Sequence, residues 1–375
     1  MKFLHTADWH IGRKLHEYAL EEEQADALDK LEGIALEEKV DAVVIAGDIY
    51  DRGMPSENSV RMVNGFLKKL NLEDGLPLLA ISGNHDSAER LATGADWFAA
   101  TSFYMSTSLE QALKPVEIGD VQFFLLPYFE LSAARRLFAD EGVRNVDDAV
   151  RKIVGRMKEQ FRDGFRHVLV AHFFAAGSLH SDSETRISVG GLDAVGVDSL
   201  DCFDYVALGH LHQHHASRSD TVRYSGSLLK YSVSEVNDDK GVYIVDTDAG
   251  TVSYRKLEPL NDVRVIRGMF DDLLSPERYR SIPDNDYVAV ELEDKLPIPD
   301  AMNRLKVCYP RVLELRRVNG LEHVGGERSL PDISGMSDMD LFCCFYREAT
   351  GEEPDEGQCR VMKETLEEMH DGGEE

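Results

Sequence analysis

The sequence predicts a layered α/β protein, on three observations. Six short apolar runs, residues 2–7, 42–46, 78–82, 121–126, 167–171 and 205–208, contain too few polar positions for half-exposed strands and read as strands buried on both faces. Helical patterns at residues 17–39 and 56–70 separate several of them. Asp, His and Asn recur just past the ends of the apolar runs, where open α/β sheets present their ligand crevice.

The first run opens the chain. Asp8 and His10 interrupt it at once, so it does not read as a secretory leader, and no apolar stretch is long enough to span a bilayer. A cytoplasmic protein without membrane contact is expected. Ser56, after Pro55, is placed to cap the helix over 56–70. The runs VRYSGS, GVYIVD and TVSYRKLE within residues 222–256 are β-rich with turn residues between, which predicts antiparallel strands closing a sheet. Near residues 258–262 the pattern shifts. Pro276, Pro283, Pro297 and Pro299 mark turns around two β-like runs, 287–292 and 311–316, which suggests a small second α/β domain. After Gly320 come a Gly- and Ser-containing loop, helical patterns at 338–349 and 356–369, and an acidic tail expected to be disordered. The expected division is 1–260, 261–320 and 321–375.

At 375 residues, the chain exceeds one typical core, and 43% hydrophobic with 29% charged residues is ordinary for a soluble globular protein. The five cysteines, Cys202, Cys308, Cys343, Cys344 and Cys359, form no C-x-x-C pair and are odd in number, which argues against a disulfide scaffold or a cysteine zinc site. Lys and Arg number 41 against 69 Asp and Glu, a balance of −28. That charge argues against autonomous tight binding of a polyanion. Phosphates would need metal ions, a local basic patch or a partner.

The chemistry-bearing residues form five groups at predicted strand ends: Asp8-x-His10, Gly47-Asp48-x-x-Asp51-Arg52-Gly53, Gly83-Asn84-His85-Asp86, His172, and Gly209-His210-x-His212. Carboxylate, imidazole and amide donors without thiolates suit Mn²⁺ and related ions, with Mg²⁺ as the other candidate. Two such ions about 3.5–4 Å apart clamp a phosphoryl group between them. The glycines let the backbone turn where a side chain would crowd the site.

In this order the five groups resemble the calcineurin-like metallophosphoesterase superfamily, from Asp8 to His212. The resemblance implies a β-sandwich flanked by helices. It implies that Asp8, His10 and His212 hold one metal, that Asn84, His172 and His210 hold a second, and that Asp48 bridges them. His85 would sit beside the scissile phosphate, oriented by Asp51 or by Asp86. These motifs do not choose among phosphatases, cyclic-nucleotide phosphodiesterases, nucleotidases and nucleases. The opening MKFLHTADWHIGRKL, residues 224–235 (YSGSLLKYSVSE) and Lys240-Gly-Val are similar to the SbcD family, the nuclease subunits of bacterial SbcCD complexes.

That similarity implies Mn²⁺-dependent cleavage of DNA ends, hairpins and single strands in repair and recombination, beside a coiled-coil ATPase of SbcC type. It implies that the second domain is a capping domain contacting DNA, and that the C-terminal helices dock on the ATPase. Leu341, Phe342, Phe345 and Tyr346 form an apolar stripe at helical spacing suited to that docking or to packing on their own domain. Arg13, Lys14 and Lys230 are candidate phosphate contacts. A homodimer within a heterotetramer is implied, with the helix at 60–70 as a candidate interface. The alternative is a small-nucleotide phosphodiesterase or phosphatase, which the acidic charge suits better.

Overall fold

The computed structural model describes residues 1–139, 142–178, 194–217, 219–318, 337–350 and 353–371. The chain divides into two compact units, Met1–Arg264 and Val265–Glu375.

The first unit is built on two sheets. The six-stranded sheet runs Thr251–Lys256, Gly241–Asp246, Lys2–Thr6, Ala42–Ile45, Leu78–Ile81, Phe103–Ser106. Its last four strands are parallel, and Gly241–Asp246 pairs antiparallel with both of its neighbours. The five-stranded sheet runs Val222–Tyr224, Tyr205–Gly209, Arg166–His172, Val121–Leu126, Val116–Ile118, with only the last pair antiparallel.

The alternation of side chains along a strand explains how two cores form. Phe123 and Leu125 point between the sheets and pack with Phe3, Val44, Leu79, Val170 and Ala207. Phe124 and Leu126 point the other way and pack with Ala149, Val150, Ile153 and Met157 of helix Val146–Lys158. Strands covered on both faces read as unbroken apolar runs, which is why six of them were legible.

Ser56 caps helix Glu57–Lys68, its side chain accepting from the Ser59 N–H at 3.1 Å. The first long helix runs over Glu21–Glu38 rather than from residue 17, because a short hairpin, Lys14–Leu15 with Tyr18–Ala19, precedes it. The expectation for residues 222–256 is corrected in one respect. Gly241–Asp246 and Thr251–Lys256 form an antiparallel hairpin, but Val222–Tyr224 joins the other sheet, parallel to Tyr205–Gly209. Its three-residue pattern specifies a strand and not a partner.

In the second unit, a three-stranded sheet has the order Val263–Gly268, Tyr287–Leu292, Val312–Arg317, its first strand straddling the division. Helix Ala301–Cys308 connects the two parallel strands, and Leu305 packs with Ile266, Val290 and Phe270. Helices Asp338–Thr350 and Glu356–Asp371 pack against each other. Leu341 and Phe345 are exposed, Phe345 at 71%, while the rings of Phe342 and Tyr346 lie 5.8 Å apart on a half-buried face. The loop after residue 320 and the last four residues of the tail lie outside the described residues. No helix among the described residues is long and apolar enough to cross a membrane. The five cysteines are free thiols.

Candidate metal centre

The carboxyl ends of strands from both sheets converge on one cluster. Lys2–Thr6 leads to Asp8 and His10, Ala42–Ile45 to Asp48, Leu78–Ile81 to Asn84 and His85, Arg166–His172 ends in His172, and Tyr205–Gly209 leads to His210 and His212. Asp8, His10, Asp48, His172, His210 and His212 are buried, and Asn84, His85, Asp51 and Asp86 are half-buried. Ligand atoms of Asp8, His10 and His212 lie within 4.8 Å of one another, and so do those of Asp8, Asp48 and His172.

The backbone is bent to achieve this. Asp8, His10, Asp48 and His210 all have positive φ, 52°, 44°, 50° and 101°. Non-glycine residues rarely adopt such conformations, and clusters of them mark functional sites held by their surroundings. Main-chain bonds from Asp8 N to Gly47 O (3.1 Å) and from His10 N to Asp48 O (3.0 Å) lock the two loops together. The His210 N–H donates to the Asp8 carboxylate at 2.9 Å, joining the two sheets. Gly83 is required by close approach: a Cβ there would sit 2.1 Å from Asp48 Oδ1.

The donor set fits divalent cations. His172 Nδ1 lies 2.8 Å from the Ala46 carbonyl, which can only accept, so Nδ1 carries a proton and Nε2 is the nitrogen turned to the cluster. That Nε2 is 2.9 Å from Asn84 Oδ1, and His210 Nδ1 approaches the same oxygen at 3.1 Å. His10 Nε2 and His212 Nε2 face each other at 3.1 Å. Imidazole nitrogens converging with amide and carboxylate oxygens in a buried site are what a shared cation stabilises.

The protonation balance points the same way. Burial pushes His210 down to about 3, and neighbouring His172 adds to this. His10 and His212 are depressed, first by burial. Burial would also lower His172, but the Asp48 and Asp8 charges lift it to about 9. Asp48 is held far below the ordinary carboxylate range by His172 and His10, against its burial.

His85 lies at the edge of this cluster, its ring 4.7 Å from that of His10 and edge-on to it. Its N–H donates to Asp48 Oδ1 at 2.9 Å, and its Nδ1 lies 2.9 Å from the main-chain oxygen of Asp51. The sequence offered the Asp51 or Asp86 side chain for orienting this ring, whereas here an Asp51 backbone carbonyl makes the contact. The Asp51 carboxylate faces His10 Nδ1 (3.9 Å) and Arg13 (3.8 Å). The Asp86 carboxylate accepts the main-chain N–H groups of Ile49, Tyr50 and Gly83 at 3.2, 2.9 and 2.9 Å. Desolvation, and then the Asp48 charge, push Asp86 up to about 6.

Of the candidate phosphate contacts, Arg13 stands over the Tyr231 ring, 5.1 Å from its centroid, and Lys14 is exposed on the short hairpin. Lys230 departs from expectation. Its ammonium is held by Asp262 and by the Val236 carbonyl, both at 2.8 Å, so it is committed to holding the fold.

Sequence reasoning missed the supports behind the ligands. Buried Gln24 donates to the His10 carbonyl at 2.9 Å and accepts from Gly12 N at 3.0 Å, clasping the strained turn. Tyr231 donates to the Trp9 carbonyl and sets its ring edge-on to both His10 and His212. Buried Glu235 and Lys240 lie behind His212. Glu235 and Tyr231 fall within the 224–235 signature, and that pattern was the one available signal for them.

Residues 1–214 match the model of the calcineurin-like phosphoesterases, and residues 259–350 match that of the type 5 capsule protein repressor C-terminal domain. The D subunit of the nuclease SbcCD from Staphylococcus epidermidis is 33% identical over 374 residues, 98% of each chain. A dimetal phosphatase from Danio rerio aligns over 65% of this chain and 91% of its own at 13% identity and a TM-score of 0.40. The enzyme is a metal-dependent phosphodiesterase. With a phosphoesterase match over more than half its length and a full-length relative at this identity, the chain belongs to the SbcD family of calcineurin-like phosphoesterases.

Proposed function

We propose that this chain is a nuclease subunit that hydrolyses DNA phosphodiester bonds with two divalent metal ions, Mn²⁺ first and Mg²⁺ second, beside a coiled-coil ATPase of SbcC type. The carrying observation is the convergence of Asp8, His10, Asp48, Asn84, His172, His210 and His212 on one buried cluster. Asp8, His10 and His212 would hold one ion and Asn84, His172 and His210 the other, with Asp48 available to both. When bound, the ions supply Lewis-acid polarisation of the phosphoryl oxygens and an activated water.

The chain's own residues do the rest. The carbonyl of Asp51 fixes the His85 ring with Nδ1 protonated, so Nε2 is the atom turned to substrate. There it stabilises charge on the transition state or protonates the leaving oxygen. Arg13 and Lys14 border the site and meet the flanking phosphates. Asp51 compensates Arg13 when no substrate is present.

Residues 261–320 serve as the capping domain that contacts DNA, and Leu341 and Phe345, in the helical segment that follows, form the surface that docks on the ATPase. A homodimer forms through the apolar groove of about 620 Å³ lined by Val60, Leu67, Leu72, Trp97 and Phe98, where Trp97 is 80% exposed. DNA ends and hairpins are the substrates, in repair and recombination in the cytoplasm. The charge of −28 is compatible because the partner and the metal ions offset repulsion from phosphates.

The test is to assay the purified chain with Mn²⁺, Mg²⁺ or chelator on single-stranded and hairpin DNA, a small phosphodiester reporter and a cyclic nucleotide, with His85→Gln as control. Mn²⁺-dependent DNA cutting lost in the variant supports the nuclease. Turnover of the small substrates alone, with DNA still uncut after the ATPase is added, favours the small-nucleotide phosphodiesterase.

A further inference from the structure

Behind His212, on the side away from the other ligands, lies a charged pair that the catalytic chemistry does not use. Glu235 is fully buried, and the Lys240 side chain is 5% exposed. Lys240 Nζ donates to Glu235 Oε2 at 2.5 Å, to the His212 main-chain oxygen at 2.8 Å and to Ser227 Oγ at 3.0 Å. The other carboxylate oxygen of Glu235 faces His212 Nδ1 at 3.6 Å, within ion-pair reach though longer than a hydrogen bond.

A buried ion pair contributes little net stability compared with apolar side chains of the same size, so its presence calls for another role. The placement supplies one. A carboxylate acceptor at Nδ1 favours the His212 tautomer with Nδ1 protonated, which leaves the Nε2 lone pair toward His10 and Asp8. Lys240 holds that carboxylate and also the backbone of the same histidine. One ammonium thus fixes both the carboxylate that faces the imidazole and the main chain that carries it. The Ser227 contact ties this brace to the turn at Gly226, where a Cβ would stand 2.7 Å from the His212 carbonyl.

We infer that Glu235 and Lys240 are positioning residues that set the tautomer and aim of His212 and so select for occupancy of one of the two metal positions. This rests on the proposed metal centre. Nothing equivalent is needed at His172, whose tautomer is already fixed by the Ala46 carbonyl.

The test uses the full chain, freed of metal by chelator and titrated with Mn²⁺ alone, read by calorimetry and by electron paramagnetic resonance. Wild type takes up two ions and gives the signal of a coupled pair. Removing one member alone would leave the other charge buried and unpaired, so the variant is the double Glu235→Leu, Lys240→Met, which also removes the acceptor at Nδ1. It is expected to keep one Mn²⁺ at wild-type affinity and to bind the other about 10–100-fold more weakly, with an uncoupled signal. Two ions bound as in wild type would overturn the inference, as would equal weakening of both. A wild type that takes up no Mn²⁺ would instead sink the metal centre itself. Nitrogen NMR of metal-free wild type supplies a second measurement that needs no variant. His212 with the proton on Nδ1 supports the inference, and the Nε2–H tautomer overturns it.

Discussion

His85 Nδ1 lies 2.9 Å from the main-chain oxygen of Asp51, so a backbone acceptor orients the ring. A side-chain change at residue 51 leaves that oxygen in place. Asp51→Asn is therefore expected to lose less than about tenfold in turnover of a phosphodiester reporter, whereas His85→Gln is expected to lose about 10²–10⁴-fold. Steady-state rates at saturating Mn²⁺ compare the two. Equal losses would transfer the orienting role to the carboxylate.

Gly83 touches the Asp48 side chain and backbone so closely that even a methyl group cannot be accommodated. Gly83→Ala should fold less stably by about 1–3 kcal/mol and displace Asp48 from its position between His10 and His172. Denaturant unfolding and Mn²⁺ titration should fall together. A fully active Gly83→Ala protein would contradict the close approach.

Metal removal should register as lost stability. The nitrogens and oxygens that converge in the cluster gain a shared cation on binding, and an ion present at a hundredfold over its Kd adds about 2.7 kcal/mol. For a catalytic unit of this size that corresponds to about 5–10 °C in Tm. Differential scanning calorimetry in Mn²⁺ and in chelator checks it, and coincident curves would argue against binding.

Leu341 and Phe345 project from helix Asp338–Thr350, while Phe342 and Tyr346 occupy its half-buried face. Changing Leu341 and Phe345 to Glu should abolish co-purification with the coiled-coil ATPase and leave reporter hydrolysis by the isolated chain unchanged. The same substitutions at Phe342 and Tyr346 should lower stability first. If the exposed pair proves neutral to capture, the docking surface lies elsewhere.

The ligands were legible in the sequence because each demands a particular residue type at the end of a recognisable strand. Asp8, Asp48, Asn84 and His172 each follow or end an apolar run that could only be buried. The supports were not legible. Gln24 stands in the run Glu21-Glu22-Glu23-Gln24, which reads like any solvated first turn, and only the fold turns it inward. Glu235 and Lys240 are five residues apart and look like surface charges until Ser227 and the His212 carbonyl close around them. Lys230 misled for the converse reason, since its partner Asp262 lies 32 residues away. Strand Phe103–Ser106 escaped notice because its four residues, FYMS, carry too short a pattern to distinguish an edge strand from a turn.

Strand Lys2–Thr6 is hydrogen-bonded between Ala42–Ile45 on one side and Gly241–Asp246 on the other. The N-terminal strand therefore waits for a partner more than two hundred residues downstream. On a ribosome adding about 5–20 residues per second, Asp8 and His10 would be synthesised roughly 10–40 s before His212, and the brace at Glu235 and Lys240 comes later still. Throughout that interval the nascent chain holds only part of its donor set. The donor set is complete only once His212 has been made, and the hairpin that flanks the first strand follows it in the sequence.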